Sequence, residues 1–167
     1  MWRLLLCLLL LNLCGCAGYR LGATNGEAQG SRSVQISPFN NETLEPRLTD
    51  AVTAQLRKSL QRDNTFRLAT HDDADIIVTG KITHYRRHAL SSQPHDVETA
   101  SDYRITMTAQ VTARERATGK VLFDQPVHGF TVIRVESDIV SAERQALPLL
   151  AGNLAKNVTD LLADGRW

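Results

Sequence analysis

Charge of one sign is what this 167-residue chain lacks: 19 Lys and Arg stand against 18 Asp and Glu. If the leader identified below is removed, Arg3 goes with it and the count is 18 against 18. A neutral chain has no global field with which to gather polyanions. Generic nucleic-acid binding is therefore excluded, and any anion recognition must come from local patches. Cysteine is scarce and confined to Cys7, Cys14 and Cys16, so a chain cleaved before Cys16 keeps one thiol and no internal disulfide. The apolar run from Leu4 to Leu13, broken by Asn12, is too short to span a bilayer, which takes about 20 residues.

Constellations for chemistry are missing as well. The histidines, His71, His84, His88, His95 and His128, are scattered, with no i, i+4 pair and no cysteine nearby to complete a metal site. Asp72, Asp73 and Asp75 crowd one turn, but no calcium loop follows them, so they read as a solvated turn before a strand. No phosphate-binding glycine loop, nucleophile with a base, or paired carboxylates can be assembled. The expectation is a non-enzymatic protein without a metal. With 43% hydrophobic residues the chain can still bury the core of one ordinary domain.

What is present begins at the N-terminus. Met1-Trp2-Arg3 supplies a positive start, Leu4 to Leu13 an apolar centre, and Leu13-Cys14-Gly15-Cys16 a bacterial lipobox. The small residue that must precede the modified cysteine is Gly15, which selects Cys16; choosing Cys14 would put Leu13 in that position. Residues 1–15 are then a signal peptide, residues 16–31 a lipidated N-terminus with a short polar linker, and residues 32–167 a single domain. Cys16 carries diacylglycerol and an N-acyl group, more than one chain and hence a stable anchor. No other cofactor is expected. Ala17 stands where an Asp retains such proteins in the inner membrane, so the expected location is the outer membrane, lipid-anchored on its periplasmic face.

Along the rest of the chain, Val34, Ile36 and Phe39 mark a short strand ended by Pro38 and Asn40-Asn41. From Pro46 to Arg62 the period becomes helical, with Leu48, Val52, Leu56 and Leu60 on one side, a cap at Thr43 or Glu42, and Pro46 in the first turn. Phe66-Arg67-Leu68 opens an extended segment, and a β-branched run from Ala74 to Tyr85 is a strand. Leu90 to Thr99 reads as a polar loop. Tyr103, Ile105, Met107, Ala109, Val111 and Ala113 then alternate with Arg104, Thr106, Thr108, Gln110, Thr112 and Arg114, giving a strand with one buried and one wet face. Thr118-Gly119-Lys120 turns it back into a strand from Val121 to Ile133, where Pro126 suggests a bulge or bend. A last helix, started by Asp138 or Ser137, carries an apolar stripe from Ile139 to Leu162, with Pro148 a candidate kink. The expected fold is α+β, order β-α-β-β-β-α: a four-stranded, mostly antiparallel or mixed sheet with two helices on one face and a polar face left free.

The suggestive side chains are basic. Arg86 and Arg87 lie where one strand leaves the sheet, and Arg114, Arg116 and Lys120 surround the neighbouring turn. If the sheet brings them to one end, Arg86, Arg87, Arg116 and Lys120 form a candidate lipopolysaccharide-binding patch, because guanidinium forks pair bidentately with phosphate. The competing reading is that they are solvated strand ends.

Cys16-Ala17-Gly18-Tyr19-Arg20-Leu21 resembles the opening of the LptE family of lipopolysaccharide-assembly lipoproteins, with Ala17 inserted. Val34 to Thr43 resembles that family's first strand and turn, and the Ala74 to Ile82 strand, the long hairpin and the terminal helix follow in the same order. The resemblance implies a non-enzymatic partner of the outer-membrane β-barrel LptD, which plugs its lumen, helps it assemble and interacts with lipopolysaccharide. The same strand-turn-helix pattern is also similar to LpoB and CsgG-like lipoproteins, which regulate cell-wall synthesis or form secretion pores; those have a longer linker after the cysteine.

Overall fold

The computed structural model describes residues 30–70, 73–93, 96–135 and 138–165. Cys16 and the leader lie outside the described residues. Among the described residues six strands and two helices follow one another: β1 (Ser33–Ile36), β2 (Asn40–Asn41), α1 (Leu48–Asp63), β3 (Arg67–Leu68), β4 (Ile76–Gln93), β5 (Asp96–Glu115), β6 (Val121–Arg134) and α2 (Ile139–Asp164). They form one mixed sheet in the order β3-β1-β4-β5-β6, with β2 also paired to β4. The α+β class and the two-helix layer are as expected, but the sheet has more than four strands. The additions are two-residue strands, β2 and β3, too short to carry an alternation. Both pair in parallel, β2 to β4 and β3 to β1.

The parallel half follows from the helix in the chain. After β1, Pro38 interrupts the ladder, Phe39 turns inward, and Asn40-Asn41 rejoins β4 opposite Lys81 and Ile82. The asparagine pair therefore prolongs the strand pairing where it was expected to end it. A parallel return needs a crossover, and α1 supplies it. Ser33 and Asp75 fasten the two strand starts. Asp75 Oδ2 accepts from the Ser33 N–H and hydroxyl, each at 2.7 Å, and Ser33 Oγ accepts from the Asp75 N–H at 3.0 Å. These hydrogen bonds hold the Asp75 carboxyl below the ordinary aspartate range.

Helix α1 buries Leu48, Val52, Leu56 and Leu60, the residues its period selects. Its start differs from expectation. Arg47, in a left-handed conformation with φ 67°, is the N-cap and offers no side-chain bond, so Pro46 precedes the cap. Thr43 and Asn41 instead stitch the preceding loop: Asn41 Oδ1 accepts from the Thr43 N–H and hydroxyl, and Asn41 Nδ2 donates to the Glu45 carbonyl at 2.7 Å. Helix α2 starts as expected at Asp138, whose carboxylate accepts from the Val140 and Ser141 N–H groups. It runs unbroken through Pro148, an exposed position where the missing donor is on the solvent side.

Helix α2 lies over β5 and β6, α1 lies beside it over the parallel strands, and both cover the same sheet face. Between the layers sit Ile105, Met107, Ala109 and Val111 of β5, Val78 and Ile82 of β4, and Leu150, Leu154 and Val158 of α2. Thr159, almost fully buried, places its hydroxyl 2.9 Å from that of Ser59, a polar contact between the helices.

Two features of the hairpins differ from the sequence reading. The segment expected as a loop contributes strand on both sides: β4 runs on to Gln93 and β5 begins at Asp96, with the register slipping at Ser91, Ser92 and Gln93, while Pro94 and His95 lie outside the described residues. Polar composition concealed these arms because side chains decide where a strand is buried, whereas the ladder is made by the main chain. Pro126 makes no bulge; it sits opposite Gln110 in unbroken register, and the shift falls between Ala113 and Arg114, where Leu122 is the extra residue. β6 is an edge strand, so a proline there needs to lose no ladder bond.

Candidate functional surface

A bulge in β4 decides what the uncovered face presents. Ile82 pairs with Ala109 and His84 with Thr108, so Thr83 is an extra residue. Without it His84 would lie on the Ile82 side, in the core. With it His84, Arg86 and His88 turn to the open face, while Tyr85 and Arg87 turn under the helices. Register then lays the open face out in rows: His84, Thr108 and His128; Arg86, Thr106 and Phe130; His88, Arg104 and Val132. Lys81, Gln110 and Pro126 continue it in one direction.

The surface is hydroxyl-rich and cationic. His84, Arg86, His88, Thr106, Thr108 and His128 line a shallow depression of about 490 Å³. Thr83 Oγ1 is 3.0 Å from His84 Nδ1, and Thr108 Oγ1 is 3.0 Å from His128 Nδ1. Two carboxylates beside this surface are engaged: Asp102 accepts from Arg134 at 2.9 Å and Asp124 from the Gln110 amide at 2.5 Å. Phe130 and Val132 remain 52% and 50% exposed, and the Arg104 guanidinium lies over the Phe130 ring, 5.4 Å from its centroid.

The four basic residues singled out in the sequence are not brought together. Arg86 is on the open face. Arg87 is on the other face, where it pairs with Glu143 of α2 at 2.7 Å and lies over the Tyr103 ring at 5.7 Å. Arg116 and Lys120 belong to the β5–β6 turn, which faces the start of β4, since the Arg116 N–H donates to the Asp75 carbonyl. That end is nine residues along β4 from Arg86, as Ile77 pairs with Arg114, or roughly 30 Å at strand rise. Adjacency in a strand puts Arg86 and Arg87 on opposite faces, and an antiparallel hairpin sends its turn away from the far end of its partner. Arg116 lines a second depression of about 670 Å³ with Arg32, Asp73, Asp75 and Glu115, a mixed-charge rim in which Arg32 and Glu115 pair at 3.3 Å.

Under the helix layer, Arg87 belongs to a tighter cluster. Burial raises the Glu45 carboxyl above the ordinary range, helped by the charge of Glu143. Burial also raises Tyr85, whose hydroxyl has no hydrogen-bond partner among the described residues, and Glu143 and Glu45 add to the effect. His84, His88 and His128, scattered in the sequence, line one depression. Only cross-strand register brings them together, and the signal that could have found them was the parity break at Thr83. The described residues hold no group of three or more potential metal ligands, and no described helix is long and apolar enough to cross a membrane.

Fold and surface together define a small α+β domain with one face closed by helices and a polar, cationic face held open. The match to the LptE lipopolysaccharide-assembly family spans residues 31–162, and the chain belongs to that family. No curated protein matches the sequence. Among solved structures, a protein from Xanthomonas campestris superposes with a TM-score of 0.62 at 9% identity, covering 87% of this chain and 91% of its own. A hypothetical protein from Chlamydia trachomatis gives 0.59 at 10% identity, with 81% and 96% covered. A minor lipoprotein from Acinetobacter baumannii gives 0.55 at 16% identity, with 81% and 94% covered. At such identities the likeness is one of fold.

Proposed function

We propose that this chain is an outer-membrane lipoprotein, anchored through lipid on Cys16, that partners an LptD-type β-barrel and assists lipopolysaccharide transport without catalysing a reaction. Membership of the lipopolysaccharide-assembly family supports the role. The observation that carries the barrel partnership is the open face: a long sheet lined by Thr79, Thr106, Thr108 and Thr112 with cationic neighbours, left bare by both helices. The lumen of an outer-membrane barrel is polar, and a plug for it needs hydrogen-bonding surface in place of a large apolar patch. The short stretch from Cys16 to Ser33 keeps the domain close to the membrane that the lipid enters.

Recovery of the chain from detergent-solubilised outer membrane tests the reading. A stoichiometric large β-barrel is the expected partner; recovery of a penicillin-binding protein in its place would refute the proposal and favour a cell-wall regulator. For the anchor, Cys16→Ala should yield a soluble or unprocessed form, and unchanged membrane attachment would refute lipidation there.

A further inference from the structure

Among the described residues the sheet ends at β3 on one side and at β6 on the other, and a third edge runs along the far half of β4. β3 is two residues long, too short to template another strand. At β6, Asn153 accepts from the Phe130 N–H and Asn157 donates to the His128 carbonyl, so α2 occupies the main chain there. β4 is different. β1 pairs with it over Ile76 to Val78 and β2 over Lys81 and Ile82, and the Glu42 N–H closes that ladder on the Ile82 carbonyl. Beyond the Thr83 bulge, from Tyr85 to Leu90, no described strand pairs with β4 on that side and no described side chain is hydrogen-bonded to its main chain.

Main-chain direction alternates with side-chain face along a strand. Val78 and Ile82 face the core and turn their carbonyls to the β1–β2 side, where the Ser37 and Glu42 N–H groups donate to them. Past the bulge the residues on that face are Tyr85, Arg87 and Ala89, opposite Met107, Ile105 and Tyr103 of β5. Their N–H and C=O groups therefore point away from β5, over about 14 Å of strand. A row of unpaired donors and acceptors is a template for another chain.

Side chains on the two faces restrict what can be added. On the open face Arg86 stands between His84 and His88, all three exposed. A second copy pairing antiparallel here, centred on Tyr85, Arg86 or Arg87, would set Arg86 opposite itself or an imidazole, with no carboxylate to answer it. A strand carrying carboxylates on that face answers it directly. On the helix face Arg87 is already held by Glu143, and the Glu45 charge acts on Tyr85, so a further carboxylate there would meet acid. That flank favours apolar side chains instead. Leu44 stands fully in solvent in the β2–α1 loop, which Asn41 pins through Thr43 and the Glu45 carbonyl.

We propose that the free edge of β4 from Tyr85 to Ala89 takes up an extended protein segment of alternating acidic and apolar residues. The segment pairs with the β4 main chain, sets carboxylates against Arg86 and lays apolar side chains beside Leu44. Main-chain hydrogen bonds supply the attraction and the alternate side chains the choice of partner. The Arg86 charge opposes pairing between copies of this chain while admitting an acidic strand. This edge is distinct from the open face, and the inference goes beyond the barrel partnership without resting on it.

Fluorescence polarisation of the full chain in detergent with a labelled peptide, acetyl-Thr-Val-Glu-Val-Glu-Val-Thr-amide, tests the proposal. The comparison peptides carry Lys for both Glu, or N-methyl groups on every Val and Glu. The glutamate peptide should bind, the lysine peptide should bind at least about tenfold more weakly, and the N-methylated peptide should not bind. Arg86→Glu should reverse the order of the first two, an exchange that loss of structure cannot imitate. Ala89→Pro removes an N–H that has no partner in the fold, so it should keep the parent's circular dichroism spectrum while binding the glutamate peptide at least about tenfold more weakly. Should that variant fail to fold, the charge exchange and the N-methylated peptide still decide the matter. Equal binding of the glutamate and lysine peptides, binding of the N-methylated peptide, or no binding of the glutamate peptide would each overturn the proposal. Dimerisation in sedimentation equilibrium that Ala89→Pro abolishes would assign the edge to a second copy and overturn it as well. These results are read on the chain alone, so the edge and the barrel partnership fail separately.

Discussion

Gly129→Ala in β6 should be among the most damaging single-methyl changes in this protein. A Cβ at position 129 would stand 2.8 Å from the backbone nitrogen and Cβ of Leu154 and 3.0 Å from its Cα. The obstruction is the body of α2, which no side-chain rotation can relieve. The neighbouring residues make this seam stiff. Asn153 Oδ1 accepts from the Phe130 N–H at 3.0 Å and Asn157 Nδ2 donates to the His128 carbonyl at 2.7 Å, so the helix is tied to the strand on both sides of the contact. Moving α2 outward by the needed half ångström or so would stretch both bonds and open the layer holding Leu150, Leu154 and Val158, all at most 1% exposed. Overpacking costs about 1–3 kcal/mol, and loss of part of two hydrogen bonds adds about 1 kcal/mol. Against this, alanine returns about 0.5–1 kcal/mol through the unfolded chain. The net loss is about 1–3.5 kcal/mol, or roughly 4–14 °C in Tm for a domain of this size. Thermal and urea melts followed by circular dichroism measure it, with His128→Ala on the opposite face as a control expected to stay within about 0.5 kcal/mol. A Gly129→Ala variant as stable as that control would show that strand and helix do not meet as described.

Asn153→Ala and Asn157→Ala each remove a cap from the free edge of β6; each should cost about 1 kcal/mol, and the double variant should self-associate in light scattering because the bared edge invites strand pairing. Asp75→Asn weakens the fastening of β4 to β1. Since the folded carboxyl titrates below its ordinary value, its contribution is complete above about pH 4 and is lost as pH falls through the lower folded value. The stability difference between parent and variant should therefore be largest near neutral pH and shrink in acid melts; a difference that grows on acidification would contradict the assignment. Arg87→Ala should destabilise by about 1 kcal/mol through Glu143 and the Tyr103 ring, and a larger loss from Arg86→Ala would show that the two faces of β4 are misassigned.

How much was legible depended on the kind of signal. The stripe of α1 and the alternation of β5 are local periodicities, and the residues they select are the buried ones. Asp138 was readable as a cap because its side chain acts on N–H groups two and three residues away. The parallel strands β2 and β3 were not readable, since two residues carry no period and their partners lie far along the chain. The placement of the basic residues was illegible for a related reason: register sends Arg86 and Arg87 to different faces and puts Arg116 at the other end of the sheet. The histidines were set aside because their spacing shows no metal motif, yet the grouping arises across strands and not along one.

Sequence alone determined the α+β class, the two amphipathic helices and the polarity of the open face, because these depend on the period of the chain within each element. The tertiary structure decided what that face presents. An extra residue at Thr83 turns His84, Arg86 and His88 outward, and antiparallel pairing sets them beside Thr108 and His128. Both are matters of register, which arises only when two strands choose where to pair.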